Sequence, residues 1–154
     1  MADTIQNRLA ALGVTLPAAA APAANYVPFA QSGKLVLTAG QLPLVDGKLA
    51  ATGLLGRDLD TAAGKEMARL CAINVLAQLQ AATGDLDRIA RLVKITVFVA
   101  STPDFTEQHL VANGASDFLV EVLGEAGKHA RSAVGVAVLP LNAPVEIEAI
   151  AELA

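Results

Sequence analysis

Two charged residues stand inside otherwise apolar, β-rich runs near the end of the chain. Arg131 opens RSAVGVAVL, and Glu146 lies within PVEIEAIAEL. An arginine at the mouth of an apolar strand offers a planar fork suited to gripping a carboxylate with two hydrogen bonds. The same residue type also serves as a plain surface ion pair, and pattern alone leaves both readings open. Glu146 and Glu148 are two residues apart, so they share one strand face while Val145, Ile147 and Ala149 point the other way. That polar face is either solvated or a place for acid–base chemistry. His129 precedes Arg131-Ser132 by two residues, and Asn113 follows His109 by four, on one helix face. Each imidazole is a structural or surface group, or a proton carrier near neutral pH. No Ser-His-Asp signature and no GxxxxGK[ST] phosphate loop occurs. The single Cys71 lies in the helical run RLCAINVL, with no CxxC pair or His/Cys cluster to hold zinc. It reads as a buried structural thiol.

The elements that must position these residues follow from local pattern. DTIQNRLAAL, residues 3 to 12, places Ile5, Leu9 and Leu12 on one face, with Asp3 or Thr4 as the cap and Gly13 as the stop. The Ala/Pro-rich LPAAAAPAA after it favours an extended strap along the body. Strands joined by hairpin turns at Ser32-Gly33 and Asp46-Gly47 are expected from NYVPFAQSG onward. A long helix follows, capped by Asp60 or Thr61, with Met67, Leu70, Ile73, Asn74, Leu76 and Leu79 on its inner face and Gly84 at its end. RIARLVKITVFVAS reads as a strand. A second long helix is expected from Asp104 to about residue 123, carrying Phe105, Leu110, Val111, Phe118, Leu119 and Val122. The order strands, helix, strand, helix, strand, strand gives an α+β fold with both helices on one sheet face. One domain over 1–154 is expected, with 1–24 as helix and strap and 25–154 as the core. If the last two strands form a simple hairpin around Leu141-Asn142, the partner of Glu146 falls near Ala137. Arg131 is then roughly 20 Å away, at about 3.3 Å per residue. The two charges could share a ligand only if another strand separates these two, or if a neighbouring subunit supplies one of them.

Hydrophobic residues make up 54% and charged residues 17% of the chain, against typical values of roughly 45–50% and about 25%. The surplus of apolar surface and the uncovered sheet face point to an oligomer. A net charge of −4, with four Phe, one Tyr and no Trp, gives nucleic acid neither a basic footprint nor a stacking platform. LAALGVTLPAAAAPAA resembles a leader's apolar region only superficially, because Asp3 precedes any basic residue, Arg8 interrupts it and Pro17 ends it. A cytoplasmic protein with no membrane partner is expected.

The combination PFAQSGKLVLTAGQLP, KITVFVASTPDF, HARSAVGVAVLP and VEIEAIA, with Ile73-Asn74 on the helix between, resembles the Rid family of reactive intermediate deaminases. This is also called the YjgF family and was formerly named endoribonuclease L-PSP. The resemblance runs from about residue 22 to 153, and the N-terminal helix and strap look like those of a longer subgroup. It implies a chorismate-mutase-like fold, a homotrimer with helices outside and sheets facing inward, and ligand clefts between subunits. The implied reaction is hydrolysis of an enamine or 2-imino carboxylate to a 2-keto acid and ammonia, with no metal or organic cofactor. A non-catalytic trimer that senses a small carboxylate is the alternative. By the same resemblance Arg131 matches the family's carboxylate-clamping arginine, Glu146 the glutamate that handles water and protons, and Asn113 an asparagine beside the cleft. Ser132 and Gly40 fall within the family's binding motifs. Phe29 stands where deaminases carry a tyrosine, Ala39 replaces a serine, Ala133 a cysteine and His129 a proline, so His129 is a candidate acid or base.

Overall fold

The computed structural model describes residues 3–22 and 24–154. Its first helix, α1 (Ile5–Ala11), starts where the Thr4 hydroxyl accepts a hydrogen bond from the Asn7 N–H. Asp3, the other candidate cap, instead pairs with Arg8 at 2.8 Å. Arg8 also donates to the Val122 carbonyl at 3.2 Å, and the Ile5 N–H donates to Asp87 at 3.3 Å, which docks the helix on the body. The described residues of the strap that follows have no regular structure, and the strap is held where the buried Gln78 amide donates to the Ala20 carbonyl at 2.9 Å. The strand predicted from residue 25 forms only from Phe29.

Strands β1 (Phe29–Ser32) and β2 (Leu35–Thr38) form an antiparallel hairpin. The short pair β3 (Leu44–Val45) and β4 (Lys48–Leu49) makes a separate two-stranded sheet. Asp46 and Gly47 join that pair with φ of 51° and 78°, the double positive φ of a type I′ turn. Helix α2 (Thr61–Thr83) is capped by the Asp60 carboxylate on the Ala63 N–H at 2.8 Å and stopped by Gly84 at φ 76°. The long strand β5 (Ile89–Ala100), helix α3 (Gln108–Leu123), and strands β6 (Ala130–Val136) and β7 (Val145–Leu153) complete the chain.

Two expectations about the helices need correction. Helix α3 begins four residues later than Asp104. The Phe105 N–H closes a turn on the Thr102 carbonyl at 3.1 Å, and the Thr102 hydroxyl donates to Asp104 at 2.7 Å, so residues 102–105 are spent on a turn. On α2, Met67, Leu70 and Ile73 are only half-buried. Asn74, Leu76 and Leu79 are buried as expected, and the rest of the covered stripe runs through small residues, Gly64, Ala68, Cys71, Ala72 and Val75. The reason is close helix packing: a Cβ on Gly114 of α3 would collide with the Lys65 carbonyl of α2, and one on Gly64 would press on Leu55 and Val111. Small side chains let the helix axes approach, and Arg69 stacks over the Phe118 ring at 4.9 Å across the same contact.

The main sheet has the order β1-β2-β7-β5-β6. Strands β6 and β7 are therefore not a hairpin. β5 lies between them, parallel to β6 and antiparallel to β7. The parallel pair follows from the α3 crossover, and β7 then fills the gap between β2 and β5. Pairing fixes the faces. Ile95, Val97 and Val99 stand beside Arg131, Ala133 and Gly135 on one side and Ala149, Ile147 and Val145 on the other. Ile95, Val97, Val99, Val145, Ile147 and Ala149 are buried with the inner residues of α2 and α3 in one apolar core. The opposite face, with Leu35, Leu37, Val134 and Glu148 exposed, carries no covering layer among the described residues. No helix among the described residues is long and apolar enough to cross a membrane.

Candidate active site

Arg131 is the second residue of edge strand β6 and turns toward α3. Its Nη1 donates to Asn113 Oδ1 at 2.9 Å and to Ser116 Oγ at 3.1 Å, and Nη2 reaches the His109 carbonyl at 3.4 Å. Among the described residues no carboxylate pairs with it, and its Nε has no protein partner. The guanidinium is thus held by neutral acceptors at Nη1 and, at longer range, by one Nη2 hydrogen, while Nε and the second Nη2 hydrogen are left for an anion. Asn113 and Ser116 share this duty because residues three apart lie on one helix face. Sequence reasoning named Asn113 but missed Ser116.

His129 joins the same group. Its Nε2 lies 2.9 Å from Ser116 Oγ and its Nδ1 2.6 Å from the Gly127 carbonyl oxygen. Burial pushes its pKa below the ordinary histidine value; the hydrogen bond to Gly127 acts against this, and the Arg131 charge adds to it. The net effect favours the neutral imidazole over the imidazolium. The His109 side chain is exposed and only its backbone serves Arg131.

Glu146 belongs elsewhere. On β7 it alternates with buried Val145 and Ile147, which sends its carboxylate to the uncovered sheet face. There it lies against the backbone of Gly40, so closely that a Cβ at Gly40 would fall on Oε1. The bridge Gln41–Ile147, two N–H···O bonds of 2.8 and 3.0 Å, holds this loop in place. Burial, then the like charge of Glu148, raise the Glu146 pKa above the usual carboxylate value.

Ala39 and Gly40 border a cleft of about 160 Å³ whose other walls include Ala20 to Pro22 of the strap, Tyr26, Gln78 and Leu141. Two of these were invisible in the sequence pattern. Gln78 is fully buried and its Oε1 has no hydrogen-bond partner among the described residues, while Leu141 is exposed at φ 60° in the β6–β7 connection. Phe29 is half-buried against the core, and Ala133 likewise, on the Arg131 side of β6. Ser132 points to the uncovered face, opposite its neighbour Arg131, beside Thr96.

The predicted residues therefore form two groups. Arg131, Asn113 and His129, linked by the unpredicted Ser116, make a cationic group on the helix side of the sheet edge. Glu146, Gly40 and Ala39 make an acidic group on the other face. In register Arg131 and Glu146 are two strands and three residues apart, about 14 Å by the usual strand spacings. Cys71 belongs to neither. It is buried, donates to the Val145 carbonyl at 3.5 Å, and burial raises its thiol pKa well above the ordinary value.

Residues 6–153 match the family described as YjgF/chorismate mutase-like, endoribonuclease. Protein TCP17 of Trypanosoma cruzi is 55% identical over 150 residues, covering 97% of this chain and 94% of that protein. A 2-iminobutanoate/2-iminopropanoate deaminase of Salmonella typhimurium is 36% identical over 135 residues, covering 88% and 90%. The crystal structure of Atu1372 from Agrobacterium tumefaciens, a protein described as of unknown function, superposes with a TM-score of 0.93. It is 57% identical, covering 99% of this chain and 94% of that one.

Proposed function

The chain belongs to the YjgF/chorismate mutase-like family, and from that premise we propose that it is a Rid-type deaminase. It hydrolyses a small 2-imino or enamine carboxylate to a 2-keto acid and ammonia, with no metal or organic cofactor. The site is a cleft in a homotrimer, where Arg131 of one copy meets Glu146 of the next. The observation that carries this reading is the placement of those two residues on opposite faces of one sheet, each in a group with room for a ligand and neither complete alone. The uncovered face, with exposed Leu35, Leu37 and Val134, supplies the surface for such an assembly.

The chemistry follows from the two groups. The free edge of Arg131 holds the substrate carboxylate with two hydrogen bonds, and Asn113 fixes the guanidinium. Burial, then the like charge of Glu148, raise the Glu146 pKa and so favour its protonated form more than in an exposed carboxylate, which suits a group that both gives and takes a proton. In its protonated form it delivers a proton to the terminal carbon of an enamine, giving the imine. Ionised, it takes a proton from water as the water oxygen bonds to the imine carbon and the C=N electrons move to nitrogen. Glu146 passes that proton to nitrogen, giving a carbinolamine; the hydroxyl proton of this adduct then moves by way of Glu146 to nitrogen as the C=O bond forms and the C–N bond breaks, and ammonia leaves with the 2-keto acid. One imine and one water give one keto acid and one ammonia.

Phe29 and Ala39 lack the hydroxyls that the deaminases of the family carry at those places. This favours a second reading, a trimer that binds a small 2-keto or amino acid without turning it over. Release of 2-iminobutyrate by an amino-acid oxidase, with its decay timed in the presence and absence of the protein, separates the two. Faster decay that disappears in Arg131→Ala supports the deaminase. Unchanged decay together with Arg131-dependent binding of 2-ketobutyrate supports the sensor. The word endoribonuclease in the family's description finds no support here, since the net charge is −4.

A further inference from the structure

Ser116 stands at the centre of a hydrogen-bond chain whose further half, from Ser116 to His129 and Gly127, imine hydrolysis does not use. The Gly127 carbonyl can only accept, so the 2.6 Å contact puts the proton of His129 on Nδ1 and leaves a lone pair on Nε2. The Ser116 hydroxyl, 2.9 Å from Nε2, then donates to it. Arg131 Nη1 can only donate, and it lies 3.1 Å from the same serine oxygen. Every hydrogen is thereby assigned: Arg131 to Ser116, Ser116 to His129, His129 to Gly127. The serine oxygen faces a base placed to remove its proton and a cation placed to stabilise the charge left behind.

Those are the parts of an activated serine, a nucleophile in hydrogen-bond reach of a base that a third group orients. A backbone carbonyl here occupies the orienting place. The group is not sealed in the core. Ser116, His129 and Arg131 are half-exposed and, with Val120 and Lys128, border a surface cleft of about 240 Å³. Lys128 is itself occupied by Glu125 at 2.8 Å. The neutral imidazole described above is the form a general base needs.

We propose that Ser116 and His129 form a second catalytic site, an acyl-transfer dyad that cleaves small activated esters bearing a carboxylate, with the carboxylate on the free edge of Arg131. Ser116 Oγ bonds to the acyl carbon as its proton passes to His129 Nε2. The ester C–O bond then breaks, and the leaving oxygen takes that proton from His129. Water next attacks the acyl carbon, giving one proton to Nε2, and Ser116 leaves and recovers it. The net reaction is ester plus water to acid plus alcohol, with no oxidant or reductant. The dyad shares Arg131 with the imine site but does not rest on imine hydrolysis occurring.

The test uses the full chain and diisopropyl fluorophosphate. In the labelling step the Oγ–P bond forms, the P–F bond breaks, fluoride leaves and His129 takes the serine proton. One adduct per chain is expected, mapped by peptide mass spectrometry to Ser116, together with a 4-nitrophenolate burst of about one equivalent from 4-nitrophenyl acetate. His129→Gln is expected to slow labelling at least a hundredfold, a change that a merely structural bridge between Arg131 and His129 would not produce. No adduct on Ser116, or equal labelling rates in wild type and folded His129→Gln, overturns the proposal. Should His129→Gln fail to fold, adduct mapping on the wild-type chain decides alone. Labelling of Ser116 in a protein that leaves imine decay unchanged sustains the dyad and removes the deaminase; faster imine decay without labelling does the reverse.

Discussion

Arg131 and Glu146 leave the same five-stranded sheet from opposite faces, Arg131 toward α3 and Glu146 toward the side that the chain leaves bare. Their register neighbours on β5, Ile95 and Phe98, are three residues apart, an odd separation that reverses the face. No side-chain rotation brings the guanidinium and the carboxylate together across a packed apolar layer. A site that needs both therefore requires a second copy of the chain, as in the proposed cleft.

Gly40 is the residue that lets Glu146 lie across the loop backbone. Gly40→Ala is expected to displace the carboxylate without unfolding the chain, because the atoms in the way are the far end of a flexible side chain. Imine hydrolysis should fall roughly tenfold or more, with the melting temperature nearly unchanged. Full activity in this variant would show that the Glu146 position does not matter.

Asn113 accepts from Arg131 at 2.9 Å. A hydrogen bond to a charged group contributes about 1.5–3 kcal/mol, so Asn113→Ala should weaken binding of 2-ketobutyrate roughly ten- to a hundredfold. Titration calorimetry on wild type and variant measures this directly, and unchanged affinity would remove Asn113 from the site.

Glu146 gives a pH-dependent stability with a definite sign. Its folded pKa is raised, so the folded chain holds the proton more tightly than the unfolded chain does. Stability from this group is then lost as pH rises from the ordinary glutamate value through the raised one, and stays lost above it. Glu146→Gln should melt higher than wild type at pH 7 and at the same temperature near pH 3. Half-exposure screens the charge and keeps the difference small. A variant less stable than wild type at pH 7 would contradict the cause assigned to the shift.

Gly114 is where α3 touches the α2 backbone at Lys65. A methyl there meets a carbonyl that cannot swing away, so Gly114→Ala should destabilise by about 1–3 kcal/mol, as overpacking does. Denaturant unfolding reads the change. A stabilised variant would mean that the helices separate more readily than their packing indicates.

Local features of this fold were legible in the sequence because their causes are local. Thr4 and Asp60 cap helices through their own side chains, Gly84 ends α2 at positive φ, and Asp46-Gly47 makes its turn unaided. The face shared by Glu146 and Glu148 was equally readable from strand alternation. The insertion of β7 between β2 and β5 was not, since strand order is a long-range choice that no window of residues encodes. The buried stripe of α2 was legible at Asn74, Leu76 and Leu79 but not at its small residues, which signal a close helix contact only once the partner, Gly114, is known. Ser116 was missed because one hydroxyl among Asn113, Gly114, Ala115 and Asp117 looks like ordinary helix surface. Its signal was the three-residue spacing from Asn113, which puts both acceptors before one guanidinium.

Subunit complementation tests the shared site most directly. Arg131→Ala and Glu146→Gln are each expected to abolish imine hydrolysis. Unfolded together in equal amounts and refolded, they should assemble at random. Each cleft then draws an intact Arg131 from one copy and an intact Glu146 from its neighbour, each with odds of one in two, so about a quarter of wild-type activity returns. Recovery near that level is the expected result. No recovery from a mixture that assembles as trimers, or full activity in either variant alone, would contradict a cleft shared between Arg131 and Glu146.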